Sequence, residues 1–158
     1  MQLEYSTDVV PGYHGMVADS APSLTDTVVT AAEYDVGIVL VADRSAGAGA
    51  KRAKAPAAAA ELDAVNVIGF LSRNEMSEPG KVPAGSVRAA VRKGRVFVNV
   101  EAAVTKYATA FVRHAAGSGS TLGALRGDDD TGTATAVPGI TFLQDTAGPG
   151  LCKVEFDL

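Results

Sequence analysis

The sequence contains no tryptophan, one cysteine and two histidines among 158 residues. One cysteine cannot close an intramolecular disulfide, and one Cys with two His cannot build a four-ligand zinc site of the Cys/His kind. Neither staple is therefore expected to hold the fold. Positive charge is in short supply as well: 14 Lys and Arg stand against 18 Asp and Glu, a net charge of −4. No summed positive field draws phosphate backbones or anionic lipid, so neither a nucleic-acid nor a membrane partner is expected. Charged residues, prolines or glycines break every apolar run before the ~18–20 residues needed to cross a bilayer. Residues 1–8 carry acids and no Lys or Arg, and no apolar stretch follows them. No secretory signal is expected, and the sequence predicts a soluble protein made in a cytoplasm.

What the chain does have is small and aliphatic. Apolar residues reach 47% while aromatics supply only 6%, with alanine abundant, so a core of small side chains is expected. One domain of this length can bury about 68–70% of its unfolded surface. Residues 1–26 place Pro11, Gly12, Gly15 and Pro22 among isolated apolar side chains, without a helical or strand period, and predict an extended N-terminal arm. Over 27–158 the texture is that of one β domain. Short β-branched or alternating runs at 27–30, 37–41, 65–71, 86–91, 95–100, 110–113, 140–143 and 151–156 read as strands.

The expected fold class is mainly β, a compact antiparallel β-barrel or β-sandwich-like domain with at most one or two short helices. Val96, Val98 and Val100 share one face of their run; Cys152, Val154 and Phe156 share another, which predicts a buried, inert thiol. Arg92-Lys93-Gly94 is spaced for a tight hairpin between 86–91 and 95–100, with Gly94 supplying a positive φ. Residues 57–64, after Pro56, have the propensity for a short helix. The small, basic stretch 45–54 reads as a mobile surface loop, and 116–120 and 127–132 as loop tips.

Motifs of known chemistry are missing. Gly117-Ser118-Gly119-Ser120-Thr121-Leu122-Gly123 has its third glycine one place late for a dinucleotide cradle, and Gly47-Ala48-Gly49-Ala50-Lys51 lacks the spacing and hydroxyl of a phosphate loop. Asp128, Asp129 and Asp130 do not follow the calcium-loop pattern and read as a solvated acidic turn. No G-x-S-x-G elbow presents a serine. His14 and His114 suit surface or hydrogen-bonding roles, and no carboxylates are paired by spacing. No catalytic residue, metal ligand or cofactor is expected, and the sequence does not predict an enzyme.

Three stretches in order carry a further pattern: Pro11-Gly12-Tyr13-His14-Gly15-Met16-Val17-Ala18-Asp19; residues 83–98, which include Val91-Arg92-Lys93-Gly94-Arg95-Val96-Phe97-Val98; and residues 136–143, followed by 148–156. This resembles the structural cement, or head decoration, proteins of tailed bacteriophages. Those proteins typically have a Pro-Gly-rich leader ending in Ala-Asp, a central Arg-Lys-Gly-Arg hairpin with Trp at the place of Phe97, and a closing strand after a Gly-rich turn. The resemblance implies a virion protein that binds the major capsid protein on the outer surface of the assembled head. It also implies a homotrimer at three-fold or quasi-three-fold positions that stabilises the shell against DNA pressure. On that reading Leu3, Tyr5, Val9, Val10 and Tyr13, too irregularly spaced for a core strand, are expected to contact the capsid or a neighbouring subunit. The runner-up, a small β-barrel that binds carbohydrate or another ligand, would usually present an aromatic platform, and the four tyrosines are dispersed.

Overall fold

The computed structural model describes residues 12–18, 22–46, 51–73, 80–117 and 120–158. Their strands are β1 (Leu24–Thr30), β2 (Tyr34–Asp35), β3 (Val39–Ala42), β4 (Arg52–Lys54), β5 (Val67–Leu71), β6 (Lys81–Val82), β7 (Val87–Val100), β8 (Thr109–Arg113), β9 (Leu125–Arg126), β10 (Ala134–Phe142) and β11 (Gly150–Asp157). The chain is mainly β, with no α-helix among the described residues.

Five strands close on themselves in the order β1-β4-β3-β5-β7, the ring being completed by an antiparallel β1–β7 pairing. Each contributes an aliphatic side chain to the interior: Val28, Ala53, Leu40, Leu71 and Ala90 belong to one buried cluster. Closure removes the free edges that an open sheet would expose. From β7 the sheet continues through β11, β10, β8 and β9, and β9 returns to β7 through the parallel pair Val100 and Leu125.

A second, larger core fills the space between the barrel's outer face and this extension. Val39, Val41, Phe70 and Val91 come from the barrel, and Val96, Val98, Ile140, Phe142, Cys152, Val154 and Phe156 from the rest. The Phe70 and Phe156 rings meet at 5.1 Å and 53°, a tilted aromatic contact that joins the two halves. Because β3 and β5 lie between two cores, both their faces are buried. Their sequences accordingly run as continuous apolar stretches rather than alternating ones.

The structure corrects three local expectations. Arg92-Lys93-Gly94 is no hairpin: β7 is a single 14-residue strand through it. Lys93 pairs with Leu24 on one side and Asp157 on the other, and the β1 register slips there, a β-bulge. Gly94 does take a positive φ, 137°, but uses it to pass the bulge while packed against Ser23. The expected helix over 57–64 shrinks to one 3-10 turn, Ala59–Glu61. Ala58 supplies no side-chain cap, and Glu61 turns back to the Ala57 N–H at 2.7 Å and to Lys54 Nζ at 2.5 Å. Within 45–54, finally, Arg52–Lys54 is a barrel strand with Ala53 fully buried, not a loop. Residues 47–50 of that stretch lie outside the described ones.

Candidate contact surface

Residues 12–18 of the leader lie along β7. Gly15 N–H donates to Phe97 O at 2.8 Å, Phe97 N–H to Met16 O at 2.9 Å, and Ala18 N–H to Arg95 O at 2.7 Å. Val17 forms an antiparallel bridge with Val96. On its other side Gly15 O accepts from Arg73 N–H at 2.8 Å, so this segment is tied to β7 and to the end of β5 together. His14 fixes the corner: its Nδ1 accepts the Asn99 N–H at 2.9 Å. Burial holds the His14 pKa below the ordinary histidine value despite the opposing pull of Asp35, which keeps the imidazole neutral and able to accept.

This anchoring presents Tyr13 to solvent. It is 60% exposed, and the Arg73 guanidinium lies 5.6 Å from its ring centre, a cation–π arrangement. Tyr13, Met16, Val17 and Arg73 line one hollow. Of the residues expected to make capsid or neighbour contacts, Tyr13 is thus on an accessible, partly apolar surface. Leu3, Tyr5, Val9 and Val10 lie outside the described residues.

A second cluster was not legible in the sequence. Arg113, whose side chain is only 5% exposed, donates from Nε to Glu101 Oε2 at 2.6 Å, from Nη2 to Asp130 Oδ2 at 2.7 Å and from Nη1 to Thr133 Oγ1 at 3.0 Å. Arg126 donates from Nε to Asp128 Oδ1 at 2.6 Å and lies 2.7 Å from Asp130 Oδ2 through Nη1. Two guanidiniums and three carboxylates therefore lock the ends of β7, β8 and β9 to the turn that enters β10. The turn is solvated as the sequence suggested, with the Asp128 side chain 64% exposed, but it sits directly over two buried arginines that pair with Asp128 and Asp130. Asp130 and Thr131 hold left-handed conformations, φ 46° and 57°, to make the approach. The hydrogen bond from Arg113 keeps the Asp130 carboxyl below the ordinary carboxylate range. Burial opposes the Arg113 charge, but Glu101 and Asp130 outweigh it and hold its pKa high. The one signal available was Arg113 itself, an arginine closing an otherwise apolar strand.

These groups are structural in character. Every carboxylate of the cluster is neutralised by a guanidinium, so none is poised as a base. The Cys152 thiol, fully buried, is pushed up to about 11 by its burial, far from the thiolate that nucleophilic chemistry requires. Among the described residues no three His, Cys, Asp or Glu side chains converge on a metal-sized site. No helix among them is long and apolar enough to cross a membrane.

The fold and surface thus define a class: a small all-β module, barrel and extension sharing one strand, with a leader that presents an aromatic–arginine surface. The sequence pattern of the family described as structural cement protein (E217 gp24/Pam3 gp6) matches residues 1–157, and the chain belongs to this family of phage structural proteins. No curated protein matches the sequence. Among solved structures, a chain of "The capsid of Myoviridae Phage XM1" has the same fold, with a TM-score of 0.74 over 98% of this chain and 97% of that one at 17% identity.

Proposed function

We propose that this cement protein decorates the outer surface of an assembled phage head, binding the major capsid protein as a homotrimer at three-fold or quasi-three-fold positions. Its synthesis takes place in the bacterial host cytoplasm. The observation that carries the reading is the family pattern spanning essentially the whole chain, and the fold shared with a chain from a phage capsid supports it. The physical role is mechanical. Packaged DNA presses outward, and a ligand that binds only the assembled lattice stabilises it by RT ln(1 + [L]/Kd), about 2.7 kcal/mol per site at one hundred times Kd. A net charge of −4 suits an exterior position better than one facing DNA.

Heads prepared without the protein, challenged by heat or osmotic shock and then supplied with it, test this directly. Bare heads are expected to lose DNA first and to recover resistance on add-back, with density for the added protein at three-fold positions. Bare heads that keep their DNA as well as decorated ones overturn the stabilising role. Isolated monomers away from every three-fold axis overturn the trimer.

A further inference from the structure

Two arginines stand apart from the rest. The β5–β7 ladder pairs Phe70 with Val91 and Leu71 with Ala90, and Ser72 N–H carries it onward to Ala89 O at 3.1 Å. Just past the end of β5, the continuation of this register brings Arg73 toward Arg88, and both line one groove. Like charges facing each other across a ladder destabilise it, so such a pair calls for compensation. Elsewhere on the strands compensation is present: Arg52 has Asp43, Arg92 has Asp26, Arg95 has Glu155, Arg113 has Glu101 and Arg126 has Asp128. Arg73 and Arg88 have no carboxylate among the described residues. Moreover, the Arg88 Nε–H is buried without any acceptor, a rarity in folded proteins.

Both arginines line one groove, with Thr27, Ser72, Val87 and Ala89. Arg73 also lines the hollow of Tyr13, Met16 and Val17, so the groove adjoins that surface. Val87 is 66% exposed at its wall. Arginine and tyrosine bordered by aliphatic side chains is the composition on which binding energy concentrates at protein interfaces. A guanidinium pair without counter-charge matches a carboxylate, which can accept two parallel N–H bonds from one fork.

We infer that the Arg73–Arg88 groove reads an acidic segment of the shell protein, a site that rests on the cement reading above. A foreign chain is the source the charge pattern favours, since most carboxylates among the described residues of this one are already engaged. Asp26, Glu101, Asp130, Glu155 and Asp157 face arginines or lysines. Asp63 and Asp145 accept backbone N–H bonds. Among the described residues of a second copy, few carboxylates are left for the groove.

The test uses the full chain and its Arg73→Gln, Arg88→Gln and Arg88→Lys variants, with three measurements: affinity for bare heads against salt, oligomeric state, and thermal shift with a hexaglutamate peptide beside inorganic phosphate. Each Gln variant is expected to bind heads at least about tenfold more weakly, the loss of one charge-assisted hydrogen bond, with a shallower salt dependence. Its melting temperature should hold or rise as the like-charge pair is relieved, and its oligomeric state should not change. Arg88→Lys should fall between, keeping charge without the fork. Hexaglutamate should raise the melting temperature of the parent chain and not of the Gln variants. Unchanged head affinity and salt dependence in both Gln variants overturns the site. A changed oligomeric state makes the groove a contact between copies and equally overturns it, as does phosphate stabilising as well as the peptide. If the peptide effect appears and depends on both arginines while the parent chain ignores heads, the cement reading fails and acid recognition stands.

Discussion

At the scale of single residues, stability concentrates where charge is buried. Arg113 lies almost wholly within the protein, and its three acceptors come from the end of β7 and from the turn that enters β10. Arg113→Ala leaves Glu101 half-buried with only the more distant Arg126, 3.9 Å away, to face it. Breaking a buried pair by removing one partner costs about 3 kcal/mol or more, which denaturant unfolding of the free protein should show. Asp130 adds a dependence on pH. Its folded-state pKa is depressed, so its stabilisation is fully present above the ordinary carboxylate value of 3.8 and is lost as pH falls through the lower folded value. Asp130→Asn should therefore flatten the loss of stability below about pH 4. His14 acts in a different window. Its depressed pKa means that the unfolded chain binds the proton more readily, so the folded state loses ground as pH falls below the ordinary value of 6.5. Melting temperatures of His14→Gln and of the parent chain, followed from pH 7.5 to 5, should converge toward the acid end; parallel curves would show that His14 carries none of the slope.

At the scale of elements, the leader is held by shape as much as by hydrogen bonds. A Cβ on Gly12 would collide with the Phe97 ring, whose own backbone pairs with Gly15 and Met16. Gly12→Ala must push either the ring or the leader aside. An overpacking cost of about 1–3 kcal/mol is expected, together with faster hydrogen exchange at the Phe97 and Ala18 amides. Exchange unchanged at those amides would mean that the contact relaxes without releasing the leader. The same elements show what a sequence can carry. The alternation of Val96, Val98 and Val100, and of Cys152, Val154 and Phe156, was readable because each set faces a single core, and all six are buried there. Burial of a thiol on such a face follows from the same period. The unbroken β7 was not readable, because Arg-Lys-Gly is a local turn signal and what overrides it is distant pairing with Leu24 and Asp157. Barrel strand β4 escaped notice for a like reason: three residues carry almost no period, and only closure of the ring gives them partners. The ionic cluster was hidden because Arg113 stands 12 to 20 residues from its three partners, on other strands and turns. On the candidate surface, Tyr13 could be picked out from the leader, whereas the convergence of Arg73 and Arg88 on one groove appears only in the folded chain.

At the scale of the whole molecule, no described residue of the leader enters either core. The barrel cluster begins with Val28 and the larger cluster with Val39, so the described domain draws no core side chain from the leader. On the proposed function, residues 2–10 serve adhesion. Deleting them should change the stability of the free protein by no more than about 0.5 kcal/mol, the range of surface changes. On heads the effect should be much larger, because a trimer engages three equivalent sites and each bound contact raises the effective concentration of the next. If one leader contact is worth tenfold in affinity, losing all three weakens the trimer by up to about a thousandfold. Titrating bare heads with the parent chain and with the truncated chain separates the possibilities. A large loss of occupancy with unchanged melting assigns residues 2–10 to the shell or the neighbouring subunit. Unchanged occupancy removes them from the contact and leaves Tyr13 and the Arg73–Arg88 groove to carry it, while a fall in melting temperature would make the leader part of the domain it precedes.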